Sequence, residues 1–471
     1  MMDFIQHLEG LLDERDFATS NFEMKFCSDW THIYQFKPLA VATPRTSEQV
    51  SSLVKAANKY SIPIVPMSGN TGLVGGTFAQ NSLIISLEKM NKVIKVNTSS
   101  NLVTVEAGVI LSALHSELAA LNLTFPITFG AKGSAMIGGI LSSNAGGSNV
   151  LKYGNARDLC LGIEVVLPNG EILELMSELH KNNSGLDLKN LMIGSEGILG
   201  IITKAVLKIF PTPKKNFTAF IGLSKDQSPL KLLKQVEEKV GKEVEAFEYM
   251  PKFYLEEFQR LFPEKAKITK DTHDINILIE VASNSEALVR EDSSGNSNLK
   301  NILEEIFSDW LQKGNLDDVI IAQSESQRKA MWEIREAAAE ITVCRKPVVI
   351  TDISVPLDSV TSFISEVDKR LSNIEKQAPS TFVSHLGDGN VHYWVWPKSN
   401  DNGLHDRIVE TVEEIVSELN GSFSAEHGVG IAKLNSMKRR KNATALDVMS
   451  AIKASLDPAN IMNPGKVLPG N

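Results

Sequence analysis

GNTGLVGG, residues 69–76, sets four glycines in eight positions straight after a short apolar run, residues 62–65. Four more glycine clusters follow: FGAKGSAMIGG (129–139), SNAGG (143–147), KYGN (152–155) and GSEGILGIIT (194–203). Glycine permits positive φ and lets backbone N–H groups come close to a ligand. Repeated loops of this kind form nests of donors suited to a pyrophosphate. None reads GxGxxG, so a Rossmann nicotinamide site is not indicated. One cluster alone reads as a tight turn; five in one α/β stretch point to a nucleotide cradle.

Around these loops, helix and strand signals alternate. TPRTSEQVSSLVKAANKYSIPIVP opens with a predicted capping box, Thr46 with Gln49, and repeats apolar residues at Val50, Leu53, Val54 and Ala57, one face of a helix. SLIISLEKMNKVIKVN and NLVTVEAGV read as strands and VILSALHSELAALN as a helix. GIEVVLPNGEILEL reads as a hairpin turning on Asn169 and Gly170, a pair favoured in type I′ turns. The glycine-rich mixture runs to about Phe210, and PTPKK (211–215) is a natural boundary. Beyond it, amphipathic helices such as SPLKLLKQVEEKV and SQRKAMWEIREAAAEI alternate with strand-like INILIEVA and VIIAQS, while REDSSGNSNLKN (290–301) reads as a mobile surface loop.

At 471 residues the chain exceeds what one hydrophobic core usually serves, so two or three units are expected. A net charge of -9 gives no basic footprint for nucleic acid and the wrong sign for anionic membranes. Cys27, Cys160 and Cys344 are far apart and form no CxxC pair, which excludes a disulfide framework and points to a reducing compartment. MMDFIQHLEGLLDERDF reads as an acidic amphipathic helix rather than a secretory or transit peptide, and no apolar run approaches the ~18 residues of a membrane span. The expected location is the cytoplasm.

A second constellation lies near the C-terminus: SHLGDGNVH (384–392), then SAEHGVG (424–430). TFVSHLGDGNVHYWVW looks like strand, turn, strand. With a two-residue turn at Asp388 and Gly389, His385 and His392 become directly opposed partners with Cβ atoms about 4.5–5.5 Å apart. Two imidazoles so placed can share a cation, and Glu426 can add an oxygen. A His2Glu set with an open position is the catalytic pattern for zinc. Either histidine alone reads as a structural residue; His385, His392, Glu426 and His427 together, beside a nucleotide cradle, read as a site.

These motifs resemble the vanillyl-alcohol oxidase/p-cresol methylhydroxylase (PCMH-type) superfamily. The resemblance is strongest to its branch of D-2-hydroxyglutarate dehydrogenases, D-lactate dehydrogenases and glycolate oxidase flavin subunits, and it covers the chain from about Pro38 onward. It implies an α+β protein: a PCMH-type FAD-binding domain of two α/β subdomains (1–212), an α+β cap domain with an antiparallel sheet (213–425), and a closing segment (426–471) that packs back on the first. The implied cofactor contacts are Ser68, Gly69, Asn70, Thr71, Gly72, Gly75 and Gly76 in the first loop, with Ala131, Ser134, Ile137, Gly138, Asn144, Gly147, Tyr153 and Gly154 beyond it. Glu196, Gly197, Gly200 and Ile201 face the adenine and ribose, and Asn463 lies near the flavin. Covalent members often carry a His where this chain has Asn70, so the FAD is expected to be non-covalent. Ser68 and Ser384 stand where relatives usually have glycine.

In metal-dependent relatives the residues matching His385, His392 and Glu426 are the ligands, for which zinc is expected, and the residue matching His427 is the base. Arg335, within WEIREAAAEI, and Asn390 match substrate-binding positions. The implied reaction is dehydrogenation of a D-2-hydroxy acid, with electrons passed to a separate acceptor such as a quinone or an electron-transfer flavoprotein; a homodimer stays open. D-2-hydroxyglutarate dehydrogenases add a Thr four residues after that Arg and a Lys fifteen after it. Ungapped counting puts Ala339 and Ile350 there, so an acid with a smaller or less polar tail, D-lactate-like, is expected unless Arg345 or Lys346 takes over. Other readings are a non-redox flavoenzyme of the alkyl-dihydroxyacetonephosphate synthase type, a metal hydrolase, and a flavin-binding protein without activity.

Overall fold

A computed structural model describes residues 2–265 and 272–470. The chain divides into two compact units. The first holds Met1–Gly147, Gly154–Pro211 and Glu426–Asn471; the second holds Ser148–Tyr153 and Thr212–Ala425.

In the first unit a four-stranded sheet has the order Phe17–Ala18, Ala40–Ala42, Leu83–Ser86, Ile64–Met67. The helix Ser47–Lys59 covers it, burying Val50, Leu53, Val54 and Ala57 completely. The Thr46 side chain caps the Gln49 N–H at 3.3 Å. The Gln49 carboxamide reaches one residue further back than a capping box requires, accepting the Arg45 N–H at 2.7 Å. A second sheet is fully antiparallel, in the order Val93–Asn97, Leu102–Glu106, Ile201–Lys208, Cys160–Val166, Ile172–Leu175. The hairpin at Asn169 is not the two-residue turn expected: Leu167 still pairs with Glu171, which leaves Pro168, Asn169 and Gly170 as a three-residue loop. Pro168 presets the first position of a type I turn, which a type I′ turn would not accept. The closing segment lies along Ile64–Met67, with Ile64 N–H donating to Ile461 at 2.7 Å and Asn463 N–H to Ile64 at 2.8 Å.

The second unit is one seven-stranded antiparallel sheet, ordered Asp318–Ile321, Lys215–Leu223, Ile275–Ser283, Val244–Pro251, Ser380–His385, Asn390–Val395, Val349–Ser354. One face carries the larger core, with Val236, Phe307, Phe363 and Val412 from four helices packed on it. The other face is covered by Tyr254, Leu255 and Phe258 of the helix Lys252–Leu261 and by Met331, Ile334 and Ile341. The segment expected as one long helix is two, Glu325–Glu336 and Ala338–Val343. The buried Tyr254 hydroxyl donates to the Ile334 carbonyl at 2.7 Å and lies 3.3 Å from that of Arg335. A side chain entering the ladder there breaks the helix. Residues 290–301 are only partly loop: Asp292 accepts the Ser294 and Asn296 N–H groups, and Ser297 caps the helix Asn298–Gln312. Among the described residues no helix is long and apolar enough to cross a membrane.

Candidate active site

The glycine loops of the first unit sort into two kinds. Some glycines are required by protein packing. A Cβ at Gly69 would stand 2.0 Å from the Ser134 carbonyl oxygen, so the first and second clusters touch through a position that only glycine can fill. Gly138 packs on Ala107 and the Ser68 hydroxyl, Gly147 on the Thr128 carbonyl, Gly154 on Asp158, Gly197 on Pro66 and Gly200 on Val165. Gly75 faces the Tyr34 ring. Asn70 braces its own loop, donating to the carbonyls of Lys25 and Ser28 at 2.9 Å and accepting from Thr77 at 2.7 Å. The Asn144 oxygen accepts the Arg157 N–H at 2.9 Å. Ile137 opens the helix Ile137–Ser142 with its side chain buried, and Ile201 is likewise buried in the core.

Other positions are open. Around Gly72, Gly130 and Gly133 a Cβ would meet nothing within 4 Å, and the neighbouring Thr71 and Ala131 are only half-buried. Asn463 is buried. Its amide donates to the carbonyls of Gly76 at 3.2 Å and Glu196 at 2.8 Å, and its oxygen has no partner among the described residues. Lys466, which sequence reasoning missed, is buried and donates to the Pro464 carbonyl at 3.1 Å, its ammonium 5.8 Å from the Phe78 ring. Burial pushes its pKa down to about 8. Open loops, an orphaned carboxamide oxygen and a buried cation fit an anionic dinucleotide. Lys466 left no mark in the sequence beyond its place in NPGK.

Glu196 sits in this unit with φ +50, and its carboxylate accepts the Val429 N–H at 2.7 Å and the Gly430 N–H at 2.8 Å. Burial pushes its pKa up against those two bonds. It therefore clamps the loop that directly follows Glu426 and His427, both half-buried.

In the second unit the polar residues gather on one sheet face. The hairpin closes through four residues, Leu386 to Gly389, and not two: the N–H groups of Asp388 and Gly389 both donate to the His385 carbonyl at 3.1 Å. Gly389 has φ +81, where a Cβ would also strike the Val355 carbonyl. The register shifts accordingly, and His385 opposes Asn390 while His392 opposes Val383 and Asp352. The two histidines are diagonal neighbours, still on one face because paired residues and alternate residues share a side. Their rings are 5.5 Å apart. Across the next strand His385 opposes Glu248.

Asp352 and Glu248, each 1 % exposed, went unrecognised in the sequence because acids scattered within largely apolar strands carry no motif. Asp352 lies 3.5 Å from His392 Nδ1 and accepts from the Asn390 amide at 3.0 Å. That amide also donates to the Ile353 carbonyl at 2.9 Å, and the buried Asn390 Oδ1 has no partner among the described residues. Glu248 accepts from His385 Nδ1 at 2.8 Å and Arg335 Nε at 2.6 Å. Burial would raise its pKa, but His385 and Arg335 outweigh that and hold it below the ordinary value. Arg328, two turns before Arg335, makes the parallel pair with Glu280. Asp352 and His392 present ligand atoms within 4.8 Å of one another, close enough to share a divalent metal. Just before Glu426, the Ala425 N–H donates to the Asp352 carbonyl at 3.3 Å. Tyr153 belongs to this unit, its hydroxyl donating to Glu245 at 2.7 Å.

A family model for the FAD binding domain matches residues 38–176, and one for the C-terminal domain of FAD linked oxidases matches residues 212–467. A mitochondrial D-2-hydroxyglutarate dehydrogenase of Arabidopsis thaliana is 32% identical over 99% of this chain and 81% of its own length; one from Danio rerio is 34% identical over 94% and 81%. A Schizosaccharomyces pombe protein provisionally named a mitochondrial D-lactate dehydrogenase is 32% identical over 97% and 87%. Among solved structures, p-cresol methylhydroxylase aligns with TM-score 0.74 at 16% identity over 99% of this chain and 96% of that one. An alkyldihydroxyacetonephosphate synthase gives 0.73 at 18% over 99% and 86%. The protein is an α+β flavoprotein oxidoreductase of PCMH-type fold. It belongs to the FAD-linked oxidase family.

Proposed function

We propose that the protein is an FAD-dependent dehydrogenase that oxidises a D-2-hydroxy acid to the 2-oxo acid, with a divalent metal held by His385, His392 and Glu426. The names of the curated relatives support the substrate class. The observation that carries the site is the gathering of Arg335, His385, Asn390 and His392 on one sheet face, with Asn390 Oδ1 a buried acceptor lacking a donor. Arg335 pairs with the substrate carboxylate and Asn390 contacts the substrate. His427 removes the hydroxyl proton, on a loop whose backbone Glu196 holds. When bound, FAD would supply the acceptor for the hydride lost from the α-carbon, and the metal would supply Lewis acidity toward the hydroxyl. Two imidazoles and a carboxylate favour zinc. The open loops at Gly72, Gly130 and Gly133, with Lys466, hold the FAD without a covalent bond, since Asn70 offers no ring nitrogen.

We infer further that the tail of the acid is small or apolar. Ala339 is exposed, and Ile350 is 51% exposed on the face that carries Asp352. Arg345 is engaged elsewhere: it is ion-paired with Glu257 and stacked 5.2 Å from the Trp396 ring. Ile350 offers a distal carboxylate neither a charge nor a hydrogen-bond donor. The test compares kcat/KM for D-lactate and D-2-hydroxyglutarate in one preparation. The expected ratio favours D-lactate, and Ile350→Lys moves it toward the diacid. A tenfold preference of the wild type for D-2-hydroxyglutarate would overturn the small-tail reading.

A further inference from the structure

The sheet of the second unit forks between two of its strands. Val244–Pro251 and Ser380–His385 pair at Glu248 with His385 and at Tyr249 with Ser384, and the ladder stops short of Pro251 and Phe382. Pro251 has no N–H to offer a neighbouring strand and stands instead at the N-cap of the helix Lys252–Leu261. At the fork lies a cavity of about 360 Å³, lined also by the helix Val360–Ile374 and the segment after it. That volume falls at the lower end of the range for small-molecule sites.

Phe253, Leu371 and Phe382 give the cavity its apolar wall. Two carboxylates line it, Asp368 and Glu375, and among the described residues no Lys, Arg or His does. Asp368 is exposed, at the mouth, and accepts from the buried Tyr393 hydroxyl at 2.9 Å. Glu375 Oε1 accepts the Lys398 N–H at 2.9 Å, while Oε2 is buried with no partner among the described residues. The Lys398 ammonium is turned away to the Lys376 carbonyl at 3.2 Å. Thr381, 3 % exposed, lines the same cavity, and its Oγ1 also has no partner among the described residues. Buried polar atoms left unpaired cost stability, and here both lie where an outside donor could reach them. The two carboxylates call for a cation. A bare metal fits poorly, because among the described residues no third ligand converges with Asp368 and Glu375.

We propose that this fork is a second ligand site, which takes a small organic ammonium ion with an apolar body. The ammonium gives Glu375 Oε2 and Thr381 Oγ1 the donor each lacks, and the body lies against Phe253, Leu371 and Phe382. The site does not depend on the reading under Proposed function: a 2-hydroxy acid is an anion, the wrong sign for a cavity lined by two carboxylates.

Phenethylamine, protonated at neutral pH, is the probe; 2-phenylethanol and phenylacetate are its neutral and anionic counterparts of similar size. Titration calorimetry on the full-length holoenzyme should show one phenethylamine site per chain, in the millimolar range or tighter. The two counterparts should bind at least about tenfold more weakly, since only the ammonium makes a charge-assisted hydrogen bond. Glu375→Gln keeps the shape and removes the charge. It should weaken phenethylamine by at least about tenfold while flavin content stays near wild type. Thr381→Val removes the hydroxyl alone and should also weaken the probe, which keeps the test open if the Gln variant fails to fold. No saturable binding of phenethylamine, equal binding of either counterpart, or wild-type affinity in a folded variant would each overturn the proposal.

Discussion

Function at the scale of single residues depends on which nitrogen or oxygen each group presents. His427 carries the sharpest consequence. As the general base it should be worth about 10²–10⁴ in the rate of flavin reduction, so His427→Ala should slow that step while metal content stays near wild type. His385→Ala should lose metal. Stopped-flow reduction and elemental analysis on the two variants decide this, and equal metal loss in both would make His427 a ligand. The histidines, Glu426 and Arg335 were legible in the sequence because they sit in dense motifs, SHLGDGNVH, SAEHGVG and WEIREAAAEI. Their supports were not. Glu248 and Asp352 are acids scattered in largely apolar strands, and Lys466 is a single cation in a closing loop; only folding brings them beside their partners. Several of the glycines also have a packing role that the ligand-cradle reading did not include. Gly69 and Gly138 are small because another part of the protein occupies the space a side chain would need.

At the scale of elements, periodicity located helices and strands well and misplaced their joints. The helix face of Val50, Leu53, Val54 and Ala57 is buried as its spacing requires. The two histidines were correctly put on one face, but by the wrong register, because hydrogen bonds to the His385 carbonyl close a four-residue loop that a Gly389 signal alone does not distinguish from a two-residue one. Tyr254, distant in sequence, splits the helix that carries Arg335. Element junctions also hold a pH-dependent contribution to stability. Asp16, at the entry to the strand Phe17–Ala18, accepts from Arg45 at 2.8 and 3.0 Å and from Lys89 at 2.7 Å. The Arg45 hydrogen bonds, with those of Lys89, outweigh burial and hold its carboxyl down to about 2 from 3.8. A carboxylate with a lowered folded-state pKa stabilises above its ordinary pKa and loses that contribution as pH falls through the folded value. Asp16→Asn should therefore melt lower than wild type at neutral pH, with the gap narrowing below about pH 4 and closing near pH 2. Thermal melts across that range check it, and a gap that persists at the acid end would mean that Asp16 acts through packing and not charge.

Across the whole molecule, the two units hold different sets of candidate residues. The first supplies open glycine loops, a buried lysine and the clamped segment with Glu426 and His427. The second supplies a sheet face on which Glu248, His385, Asn390, His392 and Asp352 are set by strand register. Fold class and family could be read from the sequence because glycine clusters and His-rich motifs are long and specific. Fold alone does not choose the reaction, since PCMH-type neighbours include both p-cresol methylhydroxylase and an alkyldihydroxyacetonephosphate synthase. The central claim, hydride removal from a D-2-hydroxy acid to bound flavin, is tested most directly by anaerobic mixing of the purified yellow protein with D-lactate, L-lactate and D-2-hydroxyglutarate while the flavin absorbance is followed. The account predicts rapid bleaching by D-lactate, slower bleaching by the diacid and none by the L-acid. Flavin that stays oxidised with every D-acid, or that L-lactate reduces as fast as D-lactate, would contradict it.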